Sequence, residues 1–232
     1  MVRRRRSRWA GFGLALVTVA VIVLGAWLAN RTPPPASAPP PPPQPDVRTA
    51  TVAWVADGDT LDVTFPGEEN RTRLRLLGID APEGPTGGRP AQCLADEARA
   101  GLLELTPRGG PVQVTDLGRD RFGRRLVALT TADGTLVNAE LVRRGLAAPL
   151  IVGGDVRLQD EIRAAQAEAV ASEQGLHAAT GCTIRGRLAT GDRAEARAVL
   201  VDLLADQRNA LVQGLTDESR ERALSDARRL AG

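Results

Sequence analysis

Nine of the fourteen residues from 32 to 45 are proline, and neither helix nor sheet ladders can run through such a stretch. The run therefore cuts the 232-residue chain into a short upstream piece and a long downstream one. Extended polyproline II geometry, at about 3.1 Å per residue, makes it a semi-rigid spacer of roughly 40 Å. Its alternative use is as a ligand for a proline-binding domain.

Upstream, residues 1–8 carry Arg3, Arg4, Arg5, Arg6 and Arg8, and the next 21 residues, 9–29, carry no charge. As a helix that run measures roughly 31 Å, enough to cross a bilayer core. Trp9 and Trp27 stand near its two ends, where amphipathic rings favour the interface. The basic cluster orients the segment with residues 1–8 cytoplasmic and everything after the spacer outside. The competing reading is a cleaved secretory signal, although the apolar run is long for one and no small-x-small site precedes Asn30. Both readings export the rest of the chain: as the extracellular part of a single-pass membrane protein, or as a secreted one.

Charge is distributed unevenly. Residues 1–45 hold six Arg and no acid, whereas residues 46–182 hold 15 Arg against 20 Asp and Glu. The basic isoelectric point thus arises at the N-terminus, and the middle of the chain has no bulk charge with which to grip a polyanion nonspecifically. Cys93 and Cys182 are the only cysteines. In an exported chain they are expected to pair, the alternative being two buried thiols. With no CxxC and a single histidine, His177, the sequence gives no support to a zinc site.

Downstream of the spacer, alternation dominates. Val52, Trp54 and Ala56 alternate with Ala53 and Val55, Asp57-Gly58-Asp59 interrupts, and Leu61, Val63 and Phe65 alternate with polar residues, which is a β-hairpin pattern. Trp54 and Phe65 are expected to face the core. Further strands are predicted at 71–79, 112–117 and 125–131, with helices at 91–105, 137–144 and 155–174. Short antiparallel strands with about three helices fit a closed or partly open barrel better than a layered α/β sheet.

Four segments then occur in order: Asp57-Gly58-Asp59-Thr60; Arg75-Leu76-Leu77-Gly78-Ile79-Asp80-Ala81-Pro82-Glu83; Asp120-Arg121-Phe122-Gly123-Arg124; and Val137-Asn138-Ala139-Glu140-Leu141-Val142-Arg143-Arg144-Gly145-Leu146-Ala147. Together they resemble the thermonuclease, or staphylococcal nuclease-like, family over residues 48–182. The resemblance implies a five-stranded OB-fold barrel and calcium-dependent hydrolysis of phosphodiester bonds in DNA or RNA by a monomer. It implies that Asp59 and Asp80 bind Ca2+ through their side chains and Ala81 through its carbonyl. Glu83 would orient or deprotonate the attacking water, and Arg75 and Arg124 would hold the scissile phosphate.

The chemistry is coherent in its own right. Phosphodiester hydrolysis needs a cation, a water held in line, and donors that tighten on the transition state. Oxygen ligands without His or Cys select a hard cation, and guanidinium forks match phosphate oxygens; all 30 Lys and Arg residues here are Arg. A regular strand would place Arg75 and Asp80 on opposite pleat faces, so a bend between them is required. Replacing either arginine by alanine is expected to spare the fold.

The chain departs from the family pattern at its aromatic positions. Phe122 replaces a tyrosine, Ala148-Pro149-Leu150-Ile151 stands where tyrosines contact substrate, and the chain has no tyrosine at all. Base stacking there, worth about 1–3 kcal/mol per base, is missing. His177 occupies a position of packing rather than of proton transfer. Residues 183–232 show helical spacing broken at Gly214, readable as a helical hairpin or a partly disordered tail. The alternative function is a noncatalytic OB-fold module that binds a polymer or protein at the cell envelope.

Overall fold

The computed structural model describes residues 46–150, 156–205, 212 and 214–232. The membrane-crossing helix expected at 9–29 and the spacer up to residue 45 lie outside the described residues. Among the described residues no helix is long and apolar enough to cross a membrane.

Five strands close a barrel in the order β1-β2-β3-β6-β5: β1 (Val47–Val55), β2 (Thr60–Thr64), β3 (Thr72–Leu76), β5 (Pro111–Arg119) and β6 (Arg125–Thr131). All neighbours are antiparallel except β3 and β6, whose parallel pairing closes the barrel. Helix α1 (Ala95–Leu105) links the two halves of the barrel, and α2 (Val137–Arg143) follows β6. The barrel interior is filled by inward residues such as Val52, Leu61, Val63, Phe65, Leu74, Val114 and Leu129, each 2% exposed or less. This is the five-stranded barrel with helices that the resemblance implied.

Trp54 corrects the simple alternation. A bulge between Val52 and Trp54 shifts the phase of β1, so Val52 and Val55 point inward and Trp54 is 42% exposed. Arg99 and Arg108 lie over its ring, each 5.2 Å from a centroid, so the indole is covered by guanidinium instead of core. The strand expected at 71–79 is also broken. It stops at Leu76, turns at Gly78 with φ +82, and resumes as the two-residue β4 (Ile79–Asp80), which pairs with β7 (Ala148–Pro149). Helix α1 starts four residues later than its sequence pattern suggested, after Leu94 in a left-handed conformation.

Where β3, β6 and α2 meet, Asn138 is fully buried. Its Oδ1 accepts from Leu129 N–H at 3.0 Å, and its Nδ2 donates to Leu77 and Val127 carbonyls at 2.9 and 3.1 Å. This one side chain satisfies backbone groups that the turn at Gly78 withdraws from the ladder.

Beyond the barrel come α3 (Gln159–Ala171), a 3-10 turn (Gly175–His177), α4 (Ile184–Ala189), α5 (Arg193–Ala205) and α6 (Asp217–Ala231). The last three helices form a second core from Ala148, Leu176, Ile184, Val199, Leu203, Val212, Ala223 and Ala227, with Cys93 and Leu94 packed against it. Of the two readings of the tail, the helical one holds. His177 is buried in this region, and desolvation, followed by the charge of Arg185, pushes its pKa below the ordinary histidine value.

Cys93 and Cys182 form the expected disulfide, 89 residues apart in sequence, which fastens the start of α1 to the tail. In the chain-entropy view a loop of this size stabilises by on the order of 4 kcal/mol. Replacing both cysteines by alanine should lower the free energy of unfolding by an amount of that order, measured by urea titration of parent and variant under oxidising conditions.

Candidate active site

Asp59 ends the hairpin turn between β1 and β2, and the turn is built to bury it. Asp57 Oδ1 accepts from the Asp59 N–H at 3.1 Å, and Ala56 N–H donates to Thr60 O at 2.9 Å. Gly58 allows the close approach: a Cβ there would stand 2.6 Å from the Ala81 Cβ and 2.7 Å from the Ala98 Cβ. The hairpin tip is thereby pressed against β4 and α1 at once. Asp59 itself is 2% exposed.

Arg75, near the end of β3, is the hub. Its Nη1 lies 2.7 Å from Asp59 Oδ2 and its Nη2 lies 2.8 Å from Asp80 Oδ1. Asp59 Oδ2 also accepts from the Ala81 N–H at 2.8 Å, and Oδ1 from Thr60 Oγ1 at 3.0 Å. The required bend between Arg75 and Asp80 is the turn at Gly78. It lets residues five apart on one chain meet through their side chains, and β7 holds the far edge in place, with Asp80 paired to Ala148.

Arg124 approaches from the β5–β6 hairpin. Asp120 fixes it: one carboxylate oxygen accepts from the Phe122 and Arg124 N–H groups, each at 2.9 Å, and the other from Arg124 Nε at 2.6 Å. Desolvation pushes the Asp120 carboxyl upward, but hydrogen bonds from Arg124 and Phe122 hold it below the ordinary value. Phe122 projects from the hairpin tip, 69% exposed, with the Arg121 and Arg124 guanidiniums 4.7 and 5.7 Å from its ring centre. Glu83 follows the buried Ala81-Pro82 pair in an exposed position, where Gln92 grips its main chain.

The electrostatics record how these groups gather. Burial pushes the Asp59 carboxyl well above the carboxylate range against the pull of Arg75, and Asp57 and Asp80 push it further. Asp80 is raised by burial, opposed by Arg75 and then Arg124, and raised again by Asp57. Glu83 is raised first by partial desolvation and then by Asp57 and Asp80, with Arg75 and Arg124 opposing. Arg75 and Arg124 are thus both felt at Asp80 and Glu83, whereas Asp59 responds to Arg75, Asp57 and Asp80, and only Asp59, Arg75 and Asp80 are in direct contact. Asp59 and Asp80 meet through a guanidinium, and among the described residues no three His, Cys, Asp or Glu side chains form a ready metal cage.

Whether calcium suits this donor set can be asked of the charges. Asp57, Asp59, Asp80 and Glu83 carry four negative charges when ionised, against two positive from Arg75 and Arg124, an excess of two. The available ligands are carboxylate and carbonyl oxygens. A hard divalent cation fits both the charge and the chemistry.

Residues 73–179 match the family model described as staphylococcal nuclease homologue. That span, just under half of the chain, is similar to the staphylococcal nuclease family. Within the matched span lie Arg75, Asp80, Ala81, Glu83 and Arg124; β1, β2 and Asp59 precede it and complete the barrel. Among relatives, a micrococcal nuclease of Shigella flexneri is 38% identical over 104 residues, 41% of this chain and 55% of that one. An uncharacterized endonuclease of Escherichia coli O157:H7 is 36% identical over 97 residues, 41% of this chain and 57% of that one. A probable endonuclease of Verticillium alfalfae is 34% identical over 109 residues, 44% of this chain and 38% of that one. The chain spans little more than half the length of the bacterial relatives it matches.

Two residues at the site escaped the motif reading. Asp120 lies inside a matched segment, and its four-residue spacing to Arg124 was the available signal. Gln92 has no signal, because what it binds is main chain. The geometry also separates the two arginines energetically. Arg75 is 7% exposed and bridges two carboxylates, so Arg75→Ala strands buried charge and should cost about 3–5 kcal/mol of stability, contrary to the expectation from sequence. Arg124 is half exposed, and Arg124→Ala should change stability by less than about 1 kcal/mol. Urea unfolding of the two variants without added metal measures the difference.

Proposed function

We propose that this protein is a calcium-dependent nuclease that hydrolyses phosphodiester bonds of DNA or RNA outside the cell, held to the membrane by residues 9–29. The observation that carries the reading is the bridge Arg75 makes between Asp59 and Asp80, with Arg124 near enough for its charge to be felt at Asp80 and Glu83. The family assignment and the endonuclease names of the relatives support it.

In this reading Asp59, Asp80 and the Ala81 carbonyl hold Ca2+. The ion, when bound, supplies positive charge that offsets the repulsion between an anionic phosphodiester and its attacking water. Glu83 accepts a proton from that water or orients it; its raised pKa brings it nearer to the working pH of a base. Arg124, held by Asp120 with its guanidinium partly open to solvent, donates to a phosphate oxygen. Arg75 donates from the buried side, where a hydrogen bond to a charged oxygen is worth more than in water. Phe122 offers an exposed apolar edge beside these donors, able to pack on a sugar or base but unable to donate to phosphate.

A noncatalytic polymer-binding module is the second reading. The observation in its favour is the absence of tyrosine from the chain, which leaves Ala148-Pro149-Leu150-Ile151 and Phe122 without hydroxyl donors to a substrate.

The full-length protein is expected to degrade single-stranded DNA when calcium is supplied and to stop when calcium is chelated. Arg124→Ala should lower kcat by roughly 10²- to 10³-fold, the cost of removing one transition-state donor. Retained DNA binding with no cleavage in calcium would support the second reading instead. A further expectation is that the protein stays with membranes through a high-salt wash, whereas release of a shortened soluble form would indicate a cleaved signal.

A further inference from the structure

Glu83 opens an exposed excursion that returns at Gln92 and contains Gly84, Pro85, Gly87, Gly88 and Pro90. Glycines at these positions leave the loop many conformations, so a carboxylate at its mouth has no fixed place unless something fixes its main chain. Gln92 does so from both sides. Its side-chain Oε1 accepts from the Glu83 N–H at 3.0 Å, and its own N–H donates to the Glu83 carbonyl at 2.9 Å. Further out, Thr86 and Arg89 close the tip by exchanging main-chain hydrogen bonds of 3.2 and 2.9 Å.

Gln92 is in turn anchored to rigid structure. Its carbonyl accepts from Ala95 N–H at 3.2 Å at the start of α1, the helix whose Ala98 lies against Gly58 beneath Asp59. The next residue is Cys93, bonded to Cys182 and packed with Leu94 against the core of the C-terminal helices. A continuous covalent and packed path therefore runs from the tail to the main chain of Glu83.

We propose that Gln92 is a positioning residue for Glu83, and that the Cys93–Cys182 bond and the helical tail serve the reaction by holding Gln92 in place. The proposal rests on the nuclease reading of Glu83. The side-chain amide spans the loop mouth and fixes the backbone from which the Glu83 carboxylate projects. The disulfide removes the freedom of the segment that carries the amide. The tail thereby acts as a brace for the active site.

Steady-state cleavage of single-stranded DNA in saturating calcium tests this with full-length Gln92→Met, Gln92→Glu and Glu83→Gln. Methionine keeps the length of the side chain and the main-chain hydrogen bond but loses the acceptor; glutamate restores an acceptor. Gln92→Met should lower kcat roughly 10- to 100-fold, as removal of an outer partner of a reacting group does, with KM within about twofold and an unchanged melting temperature. Gln92→Glu should recover most of the loss. Parental kcat in Gln92→Met alongside a collapsed Glu83→Gln would overturn the positioning role while leaving the nuclease reading intact. So would a loss shared by KM and melting temperature with no recovery in Gln92→Glu. Parental kcat in Glu83→Gln would instead remove the reading on which the proposal rests. For the disulfide, Cys93→Ala/Cys182→Ala should lower kcat at a temperature where it is folded, and Gln92→Met should then cost less than it does in the parent. Two full, multiplying losses would show that the bond does not act through Gln92.

Discussion

A single buried guanidinium joins the three parts of the chain that make the site. Arg75 sits on β3, Asp59 on the hairpin before β2 and Asp80 on β4, and each of its two terminal nitrogens takes one carboxylate. The pairing decides the local architecture because none of the three charges is tolerable alone in a dry environment. A lysine could not replace it, since one ammonium does not present two forked donors in a plane. Even so, one positive charge between two buried carboxylates leaves a deficit, which Asp57 and Glu83 enlarge. Burial is the first cause of the upward shift of the three carboxyls, and repulsion from their neighbours adds to it.

The barrel and the tail divide the labour of holding this arrangement. On the barrel side, Gly58 brings the Asp59 turn against Ala81, while Asn138 serves the backbone freed by the Gly78 turn that swings Asp80 toward Arg75. On the tail side, the second core takes in Ala148, the ladder partner of Asp80, and packs on Cys93, the neighbour of Gln92. The C-terminal helices thus support the site at two points from outside. Their sequence shows only helical spacing because bracing needs apolar faces and no particular chemistry.

Motif residues were legible in the sequence because the resemblance specifies their chemical type and their order along the chain. Asp59, Arg75, Asp80, Glu83 and Arg124 could be assigned to one neighbourhood from spacing and resemblance, and the bend between Arg75 and Asp80 followed from pleat geometry. What stayed hidden depends on backbone conformation. The bulge in β1 turns Trp54 outward, and nothing in Val52-Ala53-Trp54-Val55 announces which residue will be the extra one. Leu94, next to the bridged Cys93, is left-handed and delays α1, which helix propensity does not foretell. The parallel closure of β3 on β6 joins strands about fifty residues apart and leaves no local trace. The direct contacts were also narrower than the motifs suggested: Arg124 spends its Nε on Asp120, and Arg75 stands between the two carboxylates expected to share an ion.

The same electrostatics bear on how such a site handles a polyanion. A groove lined with basic residues binds nucleic acid by neutralising many phosphates, and its affinity rises with each one. This domain carries more acid than arginine overall, its inner cluster is anionic, and the chain lacks the aromatic hydroxyls that would grip the substrate on either side. Under the proposed reading, Arg75 and Arg124 would therefore supply most of the attraction that the protein itself can offer a phosphate. Interactions confined to the reacting group strengthen as charge builds on its oxygens, whereas remote contacts hold substrate and transition state alike. Loss of the remote contacts consequently weakens binding of substrate and transition state alike, which raises KM and leaves kcat unchanged. Under the proposed nuclease reading, such weak binding is tolerable on long or abundant polymers, and the placement of Arg75, Arg124 and Glu83 would carry most of the transition-state stabilisation.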